Sequence, residues 1–277
     1  MNKKTCILSP AYNVQNEIEN FIRSSVNISN FVFIVDDGST DGTRDILERV
    51  NSEFRNIRII HKQKNQGKAK ALLAGLTYIT KAYPDIEFII QMDSDLAHST
   101  NDLNSFFKMK NQADLIVGNR YGYDRKIDTH RANVIKLASR TIKYATNYSL
   151  TDPMCGFRVY NRKAGMVFAN RICSHGYGIE TEQLIQCKLN GFEVRETNLK
   201  NVISQDKKTK AIEFIDVFET LLYYSNYLNF TDHIIDKITT AVNNLKKRRN
   251  FRYDFADFEI SFTYSNYGDS YILSSAK

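Results

Sequence analysis

Two periodicities alternate through the first 93 residues, and that alternation leaves few folds open to the chain. Short apolar runs, TCILS (5–9), FVFIVD (31–36), IRIIHK (57–62) and IEFIIQMD (86–93), have the length and composition of buried strands. The intervening segments VQNEIENFIRSSV (14–26), TRDILERVNSEF (43–54) and GKAKALLAGLTYITKAY (67–83) read as helices. This rhythm predicts parallel strands joined by helical crossovers, an α/β sheet covered on both faces. In such sheets ligands gather beyond the carboxyl ends of the strands. The 277 residues, 42% of them hydrophobic, suffice to bury a large core.

The segments that follow the four strands are SPAYNV, DDGSTDGT, HKQKNQGK and DSDLAHS, so polar groups and glycines collect on one rim. That pattern suits a nucleotide. Neither G-x-G-x-x-G after the first strand nor G-x-x-x-x-G-K-[ST] anywhere is present, which removes the cradles of dinucleotide and P-loop proteins. A net charge of +7 favours anionic partners such as nucleotides, phosphates or an acidic membrane surface. Nucleic acid is not among the partners expected. Cys6, Cys155, Cys173 and Cys187 lack the paired spacing of zinc or redox sites, as reduced residues of a cytoplasmic protein would. No stretch has the length of a signal peptide core or a membrane span.

Two rim segments each admit a second reading. From Asp37, the residues Asp37, Ser39, Asp41, Gly42, Asp45 and Glu48 fall at the ligand positions of a calcium loop. Such a loop follows a helix, whereas FVFIV before it suits a strand, so a glycine turn at Gly38 and a helix capped by Asp41 or Thr43 fit better. In DSD, extended backbone would project Asp93 and Asp95 to one side, where their repulsion is relieved by a hard cation such as Mg²⁺ or Mn²⁺. The alternative is that Asp93 ends the strand and Asp95 caps the next helix.

Together with DLIVGNRY, DPMCGFRVYNRKA and GYGIETEQLIQCKLNGFEVRETNL, these rim motifs resemble family 2 glycosyltransferases of the GT-A fold, most closely the dolichol-phosphate mannose synthase-like branch. The resemblance spans about residues 4 to 200. It implies transfer of a sugar from a nucleotide diphosphate donor with inversion at the anomeric carbon. It places Pro10, Tyr12 and Asp37 at the base and ribose, with Asp36 beside them, and Lys68 near the donor. Asp93 and Asp95 would bind the metal and diphosphate, Ser94 would belong to the nucleotide-sugar site, and Arg120 would approach the donor phosphates. Asp152, Glu180 and Glu182 are the candidate bases, with an acidic residue expected at Glu182. Val14 stands where the family usually has Glu. In NVISQDKKTK, Lys208 aligns best with a phosphate-covering basic pair, and no arginine is present.

Beyond about residue 205 the resemblance fades. AIEFIDVFETLLYYSNYL carries a stripe of Ile215, Phe218 and Leu222, and DHIIDKITTAVNNL one of Ile234, Ile238 and Leu245, so both read as amphipathic helices. A basic run from Lys246 to Arg249 could touch anionic lipid heads. Phe251, Tyr253 and Phe255, then Phe258, Ile260, Phe262 and Tyr264, alternate as strands do, with NYGD as the turn into SYIL. The expectation is a GT-A domain over 1–205 and a helical extension with an aromatic β-ribbon tail over 206–277, whose apolar face invites self-association. A hydroxyl acceptor in glycan synthesis is favoured because Asp152, Glu180 or Glu182 could take its proton, whereas a polyprenyl phosphate acceptor needs no base. A non-catalytic nucleotide-sugar binder and a calcium-binding protein remain the readings from other classes.

Overall fold

The computed structural model describes residues 5–122, 129–174, 176–201, 211–246, 251–254, 259–264 and 271–275. Strands β1 (Thr5–Ala11), β2 (Phe31–Asp36), β3 (Ile57–His61) and β4 (Phe88–Gln91) lie parallel and alternate with helices α1 (Ile18–Ser25), α2 (Thr43–Glu53) and α3 (Lys68–Ala82). The chain continues through α4 (Leu103–Met109), β5 (Leu115–Asn119), α5 (Thr129–Thr146), β6 (Arg158–Asn161), α6 (Arg162–Arg171), α7 (Ile179–Leu189) and β7 (Val194–Asn198). All seven strands form one sheet in the order β3-β2-β1-β4-β6-β5-β7, in which β6 alone runs against its neighbours. This is the mostly parallel sheet that the alternation predicted.

Cys6, Ile7 and Leu8 of β1 are wholly buried because helices cover both faces. On one face α3 lies close against the sheet at Gly75, where a methyl group would come within 2.3 Å of Leu8 Cδ1. Two elements are shorter than the sequence suggested. Helix α1 starts at Ile18 rather than Val14, because Asn13 adopts φ 52° and residues 13–15 hydrogen-bond to residues 39–43 instead. Strand β4 ends at Gln91, so Asp93 and Asp95 leave extended backbone, and the chain turns through Leu96 at φ 58°.

A second apolar cluster joins α8 (Ala211–Tyr223) to α9 (Asp232–Lys246). Phe218 and Ile238 are buried there with Ile215, Leu222 and Ile234 packed around them, as the stripes predicted. A separate antiparallel sheet follows, β8 (Phe251–Asp254), β9 (Glu259–Tyr264) and β10 (Tyr271–Ser275). The side chain of Leu245, Lys208, the basic residues 247–249, Phe255, Phe258 and the NYGD turn lie outside the described residues. Among the described residues no helix is long and apolar enough to cross a membrane.

Candidate active site

The rim at the carboxyl ends of β1, β2 and β4 is fastened by side chains before any ligand arrives. Asn13 N–H donates to Ser39 Oγ (3.1 Å), and its carboxamide oxygen accepts from Thr40 N (2.8 Å). Gln15 Oε1 accepts from Gly42 N (2.9 Å), while Gln15 N donates to Asp41 Oδ2 (3.2 Å). Asp41 also accepts from Thr43 N at the start of α2 (2.9 Å), but the cap position is held by Gly42, which has no side chain to cap with, rather than by Asp41 or Thr43. The calcium-loop spacing does not become a ligand set. Asp37 and Asp41 bind separate backbone segments, Glu48 faces His61, and among the described residues no three His, Cys, Asp or Glu side chains gather as metal ligands.

The two carboxylates at the end of β2 differ in access. Asp36 is fully buried and accepts from Ser39 N (2.9 Å), His61 Nδ1 (2.9 Å) and the Arg44 guanidinium (3.1 Å). Burial acts to raise its pKa, but these hydrogen bonds win and hold it below the ordinary carboxylate value. Asp36 thus supports the wall from beneath. Asp37 lines the cleft, where Lys62 and the N–H groups of Gln66 (3.1 Å) and Gly67 (2.7 Å) surround its oxygens. The loop comes this close because Gly38 sits at φ 72°, against the backbone of Lys64.

A cleft of about 520 Å³ opens above this wall. Pro10, Tyr12, Asp37 and Lys68 line it, together with Asp93, Ser94 and Asp95, so the strand ends gather most of the residues the sequence singled out. Tyr12 is 45% exposed and offers its ring face. Ser94 donates to Pro10 O (2.8 Å), tying the end of β4 to that of β1. Asp95 Oδ1 accepts from Ala97 N (3.1 Å) in a local turn. Asp93 meets Lys68 Nζ at 2.8 Å. Burial would raise the pKa of Asp93, yet the Lys68 ammonium and the other nearby positive charge keep it low. Burial likewise opposes the Lys68 charge, and Asp93 and Glu180 together raise its pKa.

None of the three candidate bases is among the described residues that line this cleft, and helix α7 decides which of them stands against its wall. Glu180 Oε1 lies 2.8 Å from Nζ of Lys68, a residue that lines the cleft, in an ion pair that lacks hydrogen-bond alignment. Glu182, two residues on, points away as helical geometry requires. Its carboxylate accepts from Cys173 N (3.0 Å), Ser174 N (2.8 Å), the Ser174 hydroxyl and Tyr224 OH (2.5 Å). Asp152 is fully buried and grips Arg120 through two bonds, Nε to Oδ2 (2.7 Å) and Nη2 to Oδ1 (2.8 Å). Of the three carboxylates, only Glu180 contacts a residue that lines the cleft.

Two residues at this site were not singled out from the sequence. Arg158, fully buried, donates to Cys155 O (2.9 Å), Pro153 O (2.5 Å), Glu180 O (2.8 Å) and Gln183 Oε1 (2.9 Å), and so fixes the first turn of α7. An arginine inside the apolar run FRVY was the available signal. His98 is buried behind Asp93, with burial pushing its pKa down to about 4 despite Asp93, and its Nδ1 has no hydrogen-bond partner among the described residues.

The mostly parallel sheet with its acidic, glycine-turned rim matches the GT-A architecture that the rim motifs implied by resemblance. The chain belongs to glycosyl transferase family 2, whose profile matches residues 6–165. It is 25% identical over 193 residues to glycosyltransferase AglJ of Haloferax volcanii, a match covering 68% of this chain and 59% of AglJ. It is 26% identical over 210 residues to the undecaprenyl-phosphate mannosyltransferase of Micrococcus luteus, covering 71% of this chain and 85% of the relative. The mannosyltransferase PcManGT of Pyrobaculum calidifontis, solved with GDP-Man and Mn²⁺, superposes with a TM-score of 0.53 at 15% identity, covering 87% of this chain and 69% of that one.

Proposed function

We propose that this glycosyltransferase moves a sugar from a UDP- or GDP-linked donor to a hydroxyl acceptor, with inversion at the anomeric carbon. The observation that carries the reading is Glu180, a buried carboxylate that α7 brings against Lys68 at the wall of the cleft, where Lys68 joins it to Asp93. In this reading Tyr12 and Asp37 face the base and ribose, and Lys68 pairs with the diphosphate. Asp93 and Asp95 line one cleft and offer only oxygen donors, which fits Mg²⁺ or Mn²⁺ completed by diphosphate oxygens rather than a cage of protein ligands. Such an ion, when bound, offsets the charge that develops on the leaving diphosphate.

The acceptor oxygen attacks the anomeric carbon as the bond from that carbon to the diphosphate breaks. The acceptor proton passes to Glu180. Because Lys68 pairs with Glu180, an arriving diphosphate that draws the ammonium towards itself frees the base. Arg120 and Asp152 are locked to each other, Arg158 fixes the first turn of α7, and Glu182 fixes the neighbouring loop. The name of the Micrococcus relative supports a second reading, transfer to a lipid phosphate, which needs no base.

A panel of UDP- and GDP-sugars, screened by thermal shift with and without Mn²⁺, identifies the donor. Turnover is then measured on glycosides and on a polyprenyl phosphate. Transfer to the phosphate alone, undiminished in Glu180→Gln, would overturn the hydroxyl reading.

A further inference from the structure

Beside the donor cleft lies a second cleft of about 400 Å³, between the loop that precedes α7 and helix α8. Gly176 lines both, so an occupant of the second reaches the edge of the first. The wall between them is closely built. A methyl group on Gly176 would come within 2.2 Å of Asp216 Oδ2, and one on Gly178 within 2.4 Å of Thr220 Oγ1, so the loop rests directly on α8. Tyr177 N–H donates to Asp216 Oδ2 (2.8 Å), while Tyr177 itself lines the donor cleft. One loop therefore sets the spacing of the two clefts.

We infer that this second cleft is the acceptor subsite and that it takes a neutral sugar, an inference that rests on the hydroxyl-acceptor reading above. Its size falls within the range of small-ligand pockets, roughly 300 to 1,000 Å³. Glu182, Asp216 and Glu219 contribute carboxylates, and among the described lining residues there is no lysine or arginine. Lys246 reaches Glu219 from outside, at 2.5 Å. A phosphate monoester entering here meets like charge, which disfavours it, whereas sugar hydroxyls donate to carboxylates in charge-assisted bonds. Tyr223 lines the same cleft, is 67% exposed, and stands edge-on to Tyr224. Such an exposed ring supplies the apolar face on which a pyranose lays its C–H groups. Glu182, saturated by internal donors, shapes the inner wall, and Asp216 and Glu219 on α8 are the recognition groups.

The test is saturation-transfer NMR on the full chain with UDP or GDP and Mn²⁺, using methyl and nitrophenyl glycosides as neutral probes and farnesyl phosphate as the anionic one. At least one glycoside should bind, with affinity about tenfold weaker in Asp216→Asn and reduced in Glu219→Gln, as loss of a charge-assisted bond implies. The nucleotide-induced thermal shift should stay unchanged in Glu219→Gln, whose side chain does not hold the loop that lines the donor cleft. Glu219 is exposed, so its variant retains the fold if Asp216→Asn does not. Failure of every glycoside to bind the wild-type chain, or binding that neither variant alters, overturns the inference. Transfer to farnesyl phosphate and to no glycoside overturns the hydroxyl-acceptor reading as well, whereas glycoside transfer indifferent to both variants overturns the subsite alone.

Discussion

In the donor cleft Asp37 and Asp93 face the ammonium groups of Lys62 and Lys68, whereas across Gly176 the carboxylate of Glu182 faces backbone N–H groups, a serine and a tyrosine. The first arrangement suits exchange, because an ammonium held by a carboxylate can be taken over by an incoming phosphate. The second suits permanence. Short neutral donors converge on one buried oxygen pair and leave it no reason to move. The same helix, α7, supplies a residue to each, so a spacing of two on a helix divides a mobile function from a fixed one.

The largest break in this contrast should come from Glu180→Gln. Under the hydroxyl reading it should lower kcat by about 10²- to 10⁴-fold with donor affinity retained, the usual span for loss of a general base. Glu182→Gln should lower the melting temperature more than the chemical step. Equal kinetic effects from the two would erase the distinction between exchangeable and fixed carboxylates. Next in size is Asp95→Asn, near-isosteric at the rim, which should abolish Mn²⁺-dependent donor stabilisation in a thermal-shift assay while the unliganded melt stays put. A donor shift that survives both this change and excess chelator removes the metal from the account.

A smaller effect sharpens the fixed side. Tyr224→Phe deletes one donor to Glu182 and should destabilise the chain by about 1–3 kcal/mol, the cost of an unmet buried acceptor, with nucleotide affinity unaltered. Denaturant unfolding of the two proteins decides it. The smallest effect concerns acid. Folding holds Asp36 below its ordinary value of 3.8, so the native chain binds fewer protons there than the unfolded one. Its stabilisation is complete above that value and is lost as the pH falls through the folded pKa. Melting curves between about pH 3 and 5 should therefore show a shallower acid decline in Asp36→Asn than in the wild type.

Much of the sheet was legible because a fully covered parallel strand must be apolar on both faces, as FVFIVD is. The rim was legible for a related reason, since residues after such strands have nothing to pack against and are polar for another purpose. Asp93 and Asp95 mark where this ran out. Their convergence was argued from extended backbone, but β4 stops at Gln91, and the two aspartates share a cleft through a turn at Leu96 instead. Glu180 and Glu182 could be paired as alternatives from spacing alone, yet which of them met Lys68 depended on where that lysine and the loop at Cys173 came to lie. The stripes of α8 and α9 announced two packed helices without saying that Asp216 would meet the loop before α7.

The clasp of Asn13 with Thr40 and of Gln15 with Gly42 bears on the kinetics of nucleotide capture. Two loops from different strand ends are already one piece, so their configurational freedom is surrendered when the chain folds and not when a nucleotide docks. Association at this wall should proceed without a slow ordering phase. Amide hydrogen exchange across residues 39–42 should be as protected in the empty chain as in the nucleotide-bound one, and the cleft's base-side wall would then behave as a rigid template rather than a closing lid.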